Sequence, residues 1–163
     1  MSQGAVPQML TYLHERGRRL GLPTAGTFEL TARCNFNCKM CYVHLTEEEQ
    51  CRRGRELTTE EWITLGEAAA KAGTVFLLLT GGEPTLRPDF AEIYRALHKL
   101  GMMISVNSNG YLMDERTVAL FREETPTRVN ISLYGTENET YRRLCGVPAY
   151  DRIVRNIGAL REA

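Results

Sequence analysis

The sequence predicts an α/β fold built on a parallel sheet, arranged as a barrel or a doubly wound sheet. Two observations support this prediction. From residue 27 onward, short β-branched or apolar runs alternate with longer segments of helical period, which is the pattern of repeated βα units. The predicted strand ends at Thr80, Asn107 and Leu133 are about 26 residues apart, close to the length of one βα unit.

The chain divides into a lead-in of residues 1–26 and a core domain of residues 27–163. Residues 8–20 of the lead-in have apolar positions at helical spacing, and we predict one helix there. The core opens with a predicted strand over residues 27–31. A segment rich in Glu, Gln and Arg follows, and we expect a mobile surface loop over residues 47–56.

The next βα unit has clear end signals. A helix is predicted over residues 58–72, because Thr58 and Glu61 have capping-box spacing and Gly73 follows as a stop. Residues 75–79 are apolar throughout, as expected of a strand that is covered on both faces of the sheet.

The remaining units repeat this pattern. Pro88 is predicted in the first turn of a helix whose apolar residues recur at three and four positions. Residues 103–107 form the third predicted strand. Asp114 is the predicted N-cap of a helix that ends at Glu124, and residues 128–133 form the fourth strand before a final helix.

Length, hydrophobic content and net charge indicate a globular protein without the features of a nucleic-acid-binding or membrane protein. The chain has 163 residues, 43% of them hydrophobic, and equal numbers of acidic and basic residues, which is enough for one globular domain with a core. A net charge of zero gives no electrostatic signature for nucleic acid or an anionic membrane. No apolar run approaches the ~20 residues of a membrane helix, and no secretory leader is evident, so we expect a cytoplasmic protein.

Three thiols, Cys34, Cys38 and Cys41, lie within eight positions of one another. Five cysteines in total, three of them clustered, favour metal or redox use over a disulfide framework. Structural zinc closes its tetrahedron with four ligands, whereas three protein ligands leave one position open for a substrate or cofactor. The alternative is a zinc site that Cys51 or His44 completes.

The spacing Cys-x3-Cys-x2-Cys, preceded by the strand FELT, resembles the signature of radical S-adenosylmethionine (SAM) enzymes. The resemblance implies that Cys34, Cys38 and Cys41 bind a [4Fe-4S] cluster whose remaining iron is chelated by SAM. It also implies a partial (β/α) barrel of the radical SAM type, with about four βα units present. Met40 and Tyr42 take the family's positions near the adenine of SAM, and the alternative is that they only shield the cluster.

The stretch TGGEP after the second strand resembles the turn that holds the methionine ammonium of SAM in this family. Gly81 and Gly82 allow backbone carbonyls to approach a ligand closely, and the Glu83 carboxylate can pair with a cation. Taken alone, the same stretch also fits an ordinary turn between a strand and a helix.

Polar residues end the third and fourth predicted strands, and the carboxyl ends of parallel strands meet at one edge of a sheet. By resemblance, Asn107 and Ser132 contact the carboxylate and ribose of SAM. Many relatives place Arg-Gly where this chain has Cys145 and a glycine, so Arg143 or its neighbour Arg142 is the expected cationic partner of the carboxylate. The alternative is that the strand-end residues are turn and cap residues.

The resemblance covers about residues 27–162 and implies an iron–sulfur oxidoreductase that cleaves SAM reductively and starts radical chemistry. It extends to the segment after the fourth strand, which resembles the peptide-modifying, SPASM-type branch. The implied partners are a reductant such as flavodoxin or ferredoxin and a peptide or protein substrate.

Fewer βα units are present than in the family's usual core, so we expect a fragment, a truncated product or an unusually short member. The alternative function is a non-catalytic metal-binding module. Cys51 and Cys145 are expected to be unligated thiols, and His44 a solvated loop residue.

Overall fold

The structure, a computed structural model, describes residues 5–43, 45 and 47–163, and of residues 5–9, 47 and 51 it describes the backbone alone. The described residues contain four strands, which are β1 (Ala25–Glu29), β2 (Phe76–Thr80), β3 (Met103–Ser108) and β4 (Arg128–Ile131). Their helices are α1 (Ala5–Leu20), α2 (Glu47–Arg53), α3 (Thr59–Ala72), α4 (Phe90–Lys99), α5 (Glu115–Glu123), α6 (Asn138–Cys145) and α7 (Tyr150–Glu162). A short 3-10 turn, Pro84–Leu86, precedes α4.

The strands form one parallel sheet in the order β1-β2-β3-β4. Glu29 pairs with Thr80 at the end of β2, and Ser108 at the end of β3 pairs with Ile131. The carboxyl ends of all four strands therefore lie along one edge of the sheet. Over the described part of the chain the sheet stays open, with β1 and β4 at its margins.

The main core lies between the sheet and the helices that cover it. Leu79 and Val106 of the central strands are fully buried, and the apolar face of α4 packs against the same cluster through Ile93 and Leu97. Helix α3 approaches α4 closely at Gly66, where an added Cβ would lie 2.1 Å from a methyl of Leu97. Burial of this apolar surface is the main favourable contribution to folding.

The predicted helix ends are confirmed for α3 and α5. Thr58 and Glu61 form the capping box of α3 by exchanging side-chain and backbone hydrogen bonds, and Gly73 ends the helix with φ +104°. The Asp114 carboxylate caps α5 by accepting from the N–H of Thr117 at 3.0 Å.

Strand β1 begins and ends two residues earlier than predicted. Its pairing with β2 begins at Ala25, opposite Phe76, and regular pairing ends at Glu29. The chain stays extended for one more residue, because the N–H of Leu30 donates to the carbonyl of Thr80 at 2.9 Å. The position of β2 thus sets the register of β1, which the sequence of β1 alone does not specify.

Two predictions need correction, and one helix was missed. Pro88 precedes the N-cap of α4, Asp89, because the 3-10 turn of Pro84–Leu86 occupies the connection. Helix α2 lies within the segment predicted as a surface loop, residues 47–56. Helix α6 was not predicted at all.

Helix α1 starts three residues before its predicted start and packs on the sheet. The ring of His14 stacks on Phe76 with 5.3 Å between the centroids. Within the described residues, every helix is too short or too polar to span a bilayer. The division at residue 26 stays a prediction.

Candidate functional site

A cavity of about 270 Å³ opens at the carboxyl edge of the sheet. Its walls come from the segment after β1, which we call the cysteine loop (residues 31–43), from the turn after β2, and from the residues that follow β3 and β4. The lining residues are Cys34, Phe36, Cys38, Met40, Cys41, Tyr42, Val43, Thr80, Gly81, Gly82, Asn107, Ser108, Asn109, Ser132 and Tyr134. The structure thus brings most of the predicted site residues together in one place.

A wider cavity of about 470 Å³ is lined by Ala32 and Arg33 of the cysteine loop and by residues of the segment 45–56. Two of its arginines are already paired, Arg33 with Glu56 and Arg55 with Glu61. None of the predicted ligands lines this wider cavity, so we assign the site to the smaller one.

The three clustered thiols share the smaller cavity, and each is partly exposed to it. Burial raises the pKa of the Cys34 thiol, and burial together with a hydrogen bond to Cys145 raises the pKa of Cys38 to about 12. Neighbouring sulfur charges act in the same direction, because thiolates repel each other. A bound metal reverses this effect, since a coordinating thiol is deprotonated.

The cavity offers thiols as donors for a metal or a cluster. Among the side chains that the structure describes, no three of the His, Cys, Asp or Glu groups converge on one point at metal-binding distance. The thiols of Cys34, Cys38 and Cys41 line the cavity instead, and thiolates are the usual ligands of iron–sulfur clusters.

The alternative zinc ligands cannot be placed. His44 lies outside the described residues, and so does the side chain of Cys51.

The cysteine loop is tied to helix α6 on both sides of Cys38. The N–H of Asn37 donates to the carbonyl of Cys145 at 3.0 Å, and the N–H of Lys39 donates to that of Leu144 at 2.9 Å. Phe36 is buried against Tyr111, with 5.6 Å between the ring centroids. These contacts fix the direction of the loop without help from a ligand.

The start of the loop is held by a buried guanidinium. Arg87 is 7% exposed, donates to the carbonyl of Leu30 at 3.0 Å and pairs with Asp89 at 2.6 Å. Glu56 accepts from Arg87 and from the hydroxyl of Thr31. Burial opposes ionisation of Glu56, but these donors and Arg33 keep its pKa below its ordinary value. Sequence reasoning missed this network because its members are distant in the chain.

The Gly-Gly turn packs directly on the backbone of the cysteine loop. An added Cβ at Gly81 would lie 2.3 Å from the carbonyl oxygen of Thr31, and one at Gly82 would lie 2.3 Å from that of Arg33. Gly81 also has φ +138°, which disfavours a side chain. The N–H of Gly82 donates to Thr31 at 2.7 Å. Both glycines are therefore required by the contact between the turn and the loop.

The carboxylate of Glu83 lies behind this turn, fully buried and outside the cavity lining. It accepts from the hydroxyl of Ser108 at 2.9 Å, from the N–H of Asn109 at 2.7 Å and from the N–H of Thr85 at 3.1 Å. Burial raises the pKa of Glu83, and these hydrogen bonds oppose the rise. Its predicted contact with a ligand ammonium stays a prediction.

Asn109 connects Glu83 to the cysteine loop. Its backbone donates to Glu83, while its side-chain Nδ2 donates to Asn35 at 2.9 Å and lies 3.8 Å from the sulfur of Cys34. The same sulfur accepts from the N–H of Phe36 at 3.4 Å. Asn109 is one of the polar residues at the end of the third strand, which the sequence leaves open between cofactor contacts and turn or cap residues.

The other predicted cofactor contacts differ in placement. Asn107 accepts from Asn130 at 2.8 Å and, like Ser132, lines the cavity. Tyr42 stands at the rim with 96% of its surface exposed. Arg143 is exposed on α6 and does not line the cavity, so its role stays a prediction.

Comparisons with known proteins identify what the chain is similar to. The sequence model described as the Radical SAM superfamily matches residues 28–163. A protein of Saccharolobus solfataricus named "Probable GTP 3',8-cyclase" is 36% identical over 129 residues, which is 78% of this chain and 40% of that protein. The chain thus spans about 40% of the length of the curated relatives it matches.

Solved structures share the fold. SuiB of Streptococcus suis bound to S-adenosylmethionine aligns over 95% of this chain and 36% of its own, with a TM-score of 0.74 and 18% identity. The same protein bound to its precursor peptide SuiA aligns with a TM-score of 0.73 and 18% identity, over 95% and 35% of the two chains. The predicted fold class, an α/β partial barrel with a parallel sheet, is confirmed.

Proposed function

The chain belongs to the radical SAM superfamily, and on that premise we propose that Cys34, Cys38 and Cys41 bind a [4Fe-4S] cluster for reductive cleavage of SAM. The observation that carries the proposal is the shared cavity, which the three thiols line together with the Gly81–Gly82 turn and the residues at the ends of β3 and β4. When bound, the cluster would supply the electron that cleaves the bond between the sulfonium sulfur and the 5′ carbon of SAM. This cleavage starts radical chemistry on a substrate.

The chain's own part begins with the thiols. As thiolates, Cys34, Cys38 and Cys41 would be the protein ligands of the cluster, and the absence of a fourth protein ligand would leave a coordination position for SAM. Phe36 and Asn109 place N–H groups near the sulfur of Cys34, where hydrogen bonds stabilise negative charge on the sulfur. The proposed effect is a higher reduction potential for the cluster.

The carboxyl edge of the sheet positions SAM. The backbone carbonyls of Gly81 and Gly82 would accept from the methionine ammonium, and the buried carboxyl of Glu83 would support the turn that carries them. Asn107 and Ser132 bind the carboxylate and ribose hydroxyls. Met40 and Tyr42, which line the cavity, would contact the adenine. Arg143 would pair with the carboxylate, which requires its side chain to turn toward the cavity.

The substrate is the least constrained part of the proposal. The curated relatives are named for a GTP cyclase at 36% identity, whereas SuiB, which was crystallised with a peptide, shares the fold alone at 18% identity. The relatives favour a guanine nucleotide as the first substrate to test. The predicted peptide is the second substrate to test. The cytoplasmic location and the flavodoxin or ferredoxin reductant stay predictions.

Anaerobic reconstitution with iron and sulfide tests the cofactor proposal. We expect brown protein with the iron-to-sulfide ratio of a [4Fe-4S] cluster and reductant-dependent formation of 5′-deoxyadenosine from SAM. Colourless protein with stoichiometric zinc would contradict the proposal and favour a metal-binding module. Protein that binds the cluster but does not cleave SAM would also contradict the proposal. It would favour a non-catalytic module that binds a cluster.

A further inference from the structure

Cys145 is a fourth thiol at the edge of the site. It is the last residue of α6, is fully buried, and lies outside the cavity lining. It belongs to a small apolar cluster with Phe36 and Tyr141, and Cys34 and Cys38 pack against that cluster. The Cys145 thiol contributes to the packing of this cluster. It also lies next to a second thiol with which it could form a disulfide.

That partner is Cys38. Cys38 packs against the apolar cluster that contains Cys145, and the Cys145 thiol is one of the groups that raise the pKa of Cys38. The backbone hydrogen bonds from Asn37 to Cys145 and from Lys39 to Leu144 hold the two segments together on either side of the pair. A disulfide needs its two Cα atoms roughly 4.4–6.8 Å apart, a separation that such close backbone pairing favours.

The two thiols differ in access. Cys38 is partly exposed and lines the cavity, whereas Cys145 has no exposed surface. A small oxidant from solution therefore reaches Cys38 first. Cys145 is the neighbouring thiol that can attack the oxidised Cys38 and release the oxidant's leaving group.

We propose that Cys38 and Cys145 form a reversible disulfide in the cluster-free protein, and that its reduction releases Cys38 for cluster assembly. The formation of the disulfide does not depend on the proposed function, but its effect on cluster assembly rests on it. Such a bond would protect a cluster ligand from further oxidation while no iron is available.

The oxidant is a low-molecular-weight disulfide such as glutathione disulfide. Cys38 first loses its proton, a step that its raised pKa makes slow at neutral pH. Its thiolate then attacks one sulfur of glutathione disulfide, which forms a mixed disulfide and releases one glutathione thiolate. Cys145 then loses its proton and attacks the sulfur of Cys38, which releases the second glutathione. Two protein thiols lose two electrons and two protons, and one disulfide of glutathione becomes two thiols.

The test begins with the full chain, prepared without cluster under reducing conditions and then exposed to glutathione disulfide without oxygen. We expect an intact mass lower by about 2 Da, the two hydrogens lost on disulfide formation. Non-reducing proteolysis should give a peptide that links Cys38 to Cys145. A link from Cys38 to Cys34, Cys41 or Cys51 instead would overturn the proposal, and this measurement needs no variant.

Two variants sharpen the result. Cys145→Ala should lose the linked peptide and accumulate a glutathione adduct on Cys38, whereas the matched control Cys51→Ala should keep the link. Circular dichroism of each variant checks that the fold is retained. Oxidation of Cys145→Ala to the same product as the wild type would contradict the assignment.

Cluster loading separates this proposal from the previous one. Oxidised wild-type protein should take up no iron until a dithiol is added, while Cys145→Ala pretreated with glutathione disulfide and then dithiol should load like untreated protein. Equal loading of oxidised and reduced wild-type protein would refute the effect on assembly. Reduced protein that takes up no iron at all would instead refute the proposed cluster, and the mapped disulfide would still stand.

Discussion

At the scale of single residues, Glu83 is the most constrained side chain of the site. Its carboxylate is fully buried, and Ser108, Asn109 and Thr85 all donate to it. These bonds join the turn after β2 to the end of β3. We infer that the buried carboxyl of Glu83 positions the backbone on which both the cofactor contacts and the cysteine loop depend.

This burial gives the protein a specific pH dependence. A carboxyl whose pKa is raised on folding contributes stability that is fully present below its ordinary pKa of 4.5 and is lost as the pH rises through the raised value. Glu83→Gln has no charge to bury, so the wild type should lose free energy of unfolding relative to this variant as the pH rises above 4.5.

Urea unfolding of cluster-free protein at several pH values measures this difference. Glu92→Gln, which changes an exposed carboxylate on α4, is the control and should follow the wild type. A difference between wild type and Glu83→Gln that stays constant with pH would show that the carboxyl titrates normally.

Gly82 offers a steric test of the contact between the turn and the cysteine loop. A Cβ at this position would lie 2.3 Å from the carbonyl oxygen of Arg33, so Gly82→Ala must displace backbone. We expect a loss of about 1–3 kcal/mol in the free energy of unfolding, the usual cost of overpacking, together with reduced iron uptake.

Gly158→Ala is the matched control, because nothing lies within 4 Å of its added Cβ and the residue is inside helix α7. It should gain about 0.5–1 kcal/mol from helix propensity and keep normal iron uptake. Equal stability of Gly82→Ala and wild type would mean that the turn and the loop move apart freely.

The ligand assignment makes a sharp distinction between two neighbouring thiols. Cys38→Ala should abolish retention of the cluster, because it removes one of three ligands, whereas Cys145→Ala should retain it. Iron and sulfide analysis after anaerobic desalting measures both. Loss of iron from Cys145→Ala would contradict the assignment of three loop ligands.

Local sequence was sufficient to predict the thiols and the Gly-Gly turn, because their spacing along the chain carries the chemical pattern. It was not sufficient for Asn109 or Arg87. Asn109 meets Cys34 only after the strands pair, and Arg87 meets the carbonyl of Leu30 across 57 positions of the chain. Contacts of this kind depend on strand order and register, which no local pattern encodes.

At the scale of elements, the Arg87 network connects α3, α4 and the cysteine loop, because Asp89 also accepts from Thr59 of α3 at 2.7 Å and Glu56 accepts from Thr31. Arg87→Met would leave the buried carbonyl of Leu30 without this donor, and the carboxylate of Asp89 would keep only the hydroxyl of Thr59 as a side-chain donor. We expect a loss of roughly 1–3 kcal/mol in the free energy of unfolding, since a buried acceptor would lose a hydrogen bond.

Arg95→Met is the control for this change. Arg95 pairs with Glu123 at 3.0 Å on the exposed surface, where ion pairs contribute about 0–1 kcal/mol. Chemical denaturation of both variants measures the contrast, and similar losses would show that the buried network contributes little.

The elements that were predicted correctly carry strong end signals, and the missed ones do not. Helix α3 has a capping box and a terminal glycine, whereas α2 has the sequence EEEQCRR, with no apolar periodicity to indicate a helix. Helix α6 had one available signal. Tyr141 and Cys145 are four residues apart and both buried, and Gly146 follows with φ +82°.

At the scale of the whole molecule, the parallel sheet follows from the βα repeat, because parallel neighbours need crossover helices between them. The repeat does not distinguish a barrel from a doubly wound sheet, since both have the same local pattern. The observed order β1-β2-β3-β4 and the structural alignment with SuiB together resolve this choice.

Binding of SAM should stabilise the entire fold, but only after reconstitution of the cluster. A ligand that binds only the folded state raises the free energy of unfolding by about 2.7 kcal/mol when its concentration is 100 times its Kd. Thermal unfolding with increasing SAM should therefore show a rising Tm for reconstituted protein and little change for cluster-free protein. The same rise without a cluster would mean that SAM binds through the polypeptide alone.

The pairing of the cysteine loop with α6 has a consequence for the order of events during synthesis. Asn37 and Lys39 receive their partners from Leu144 and Cys145, which the ribosome adds more than a hundred residues later. When the cysteine loop of a nascent chain leaves the ribosome, α6 has not yet been made. The backbone hydrogen bonds that shape the loop around its three thiols therefore cannot form. Delivery of iron by a maturation system is therefore expected to be post-translational, or to wait until α6 has left the exit tunnel.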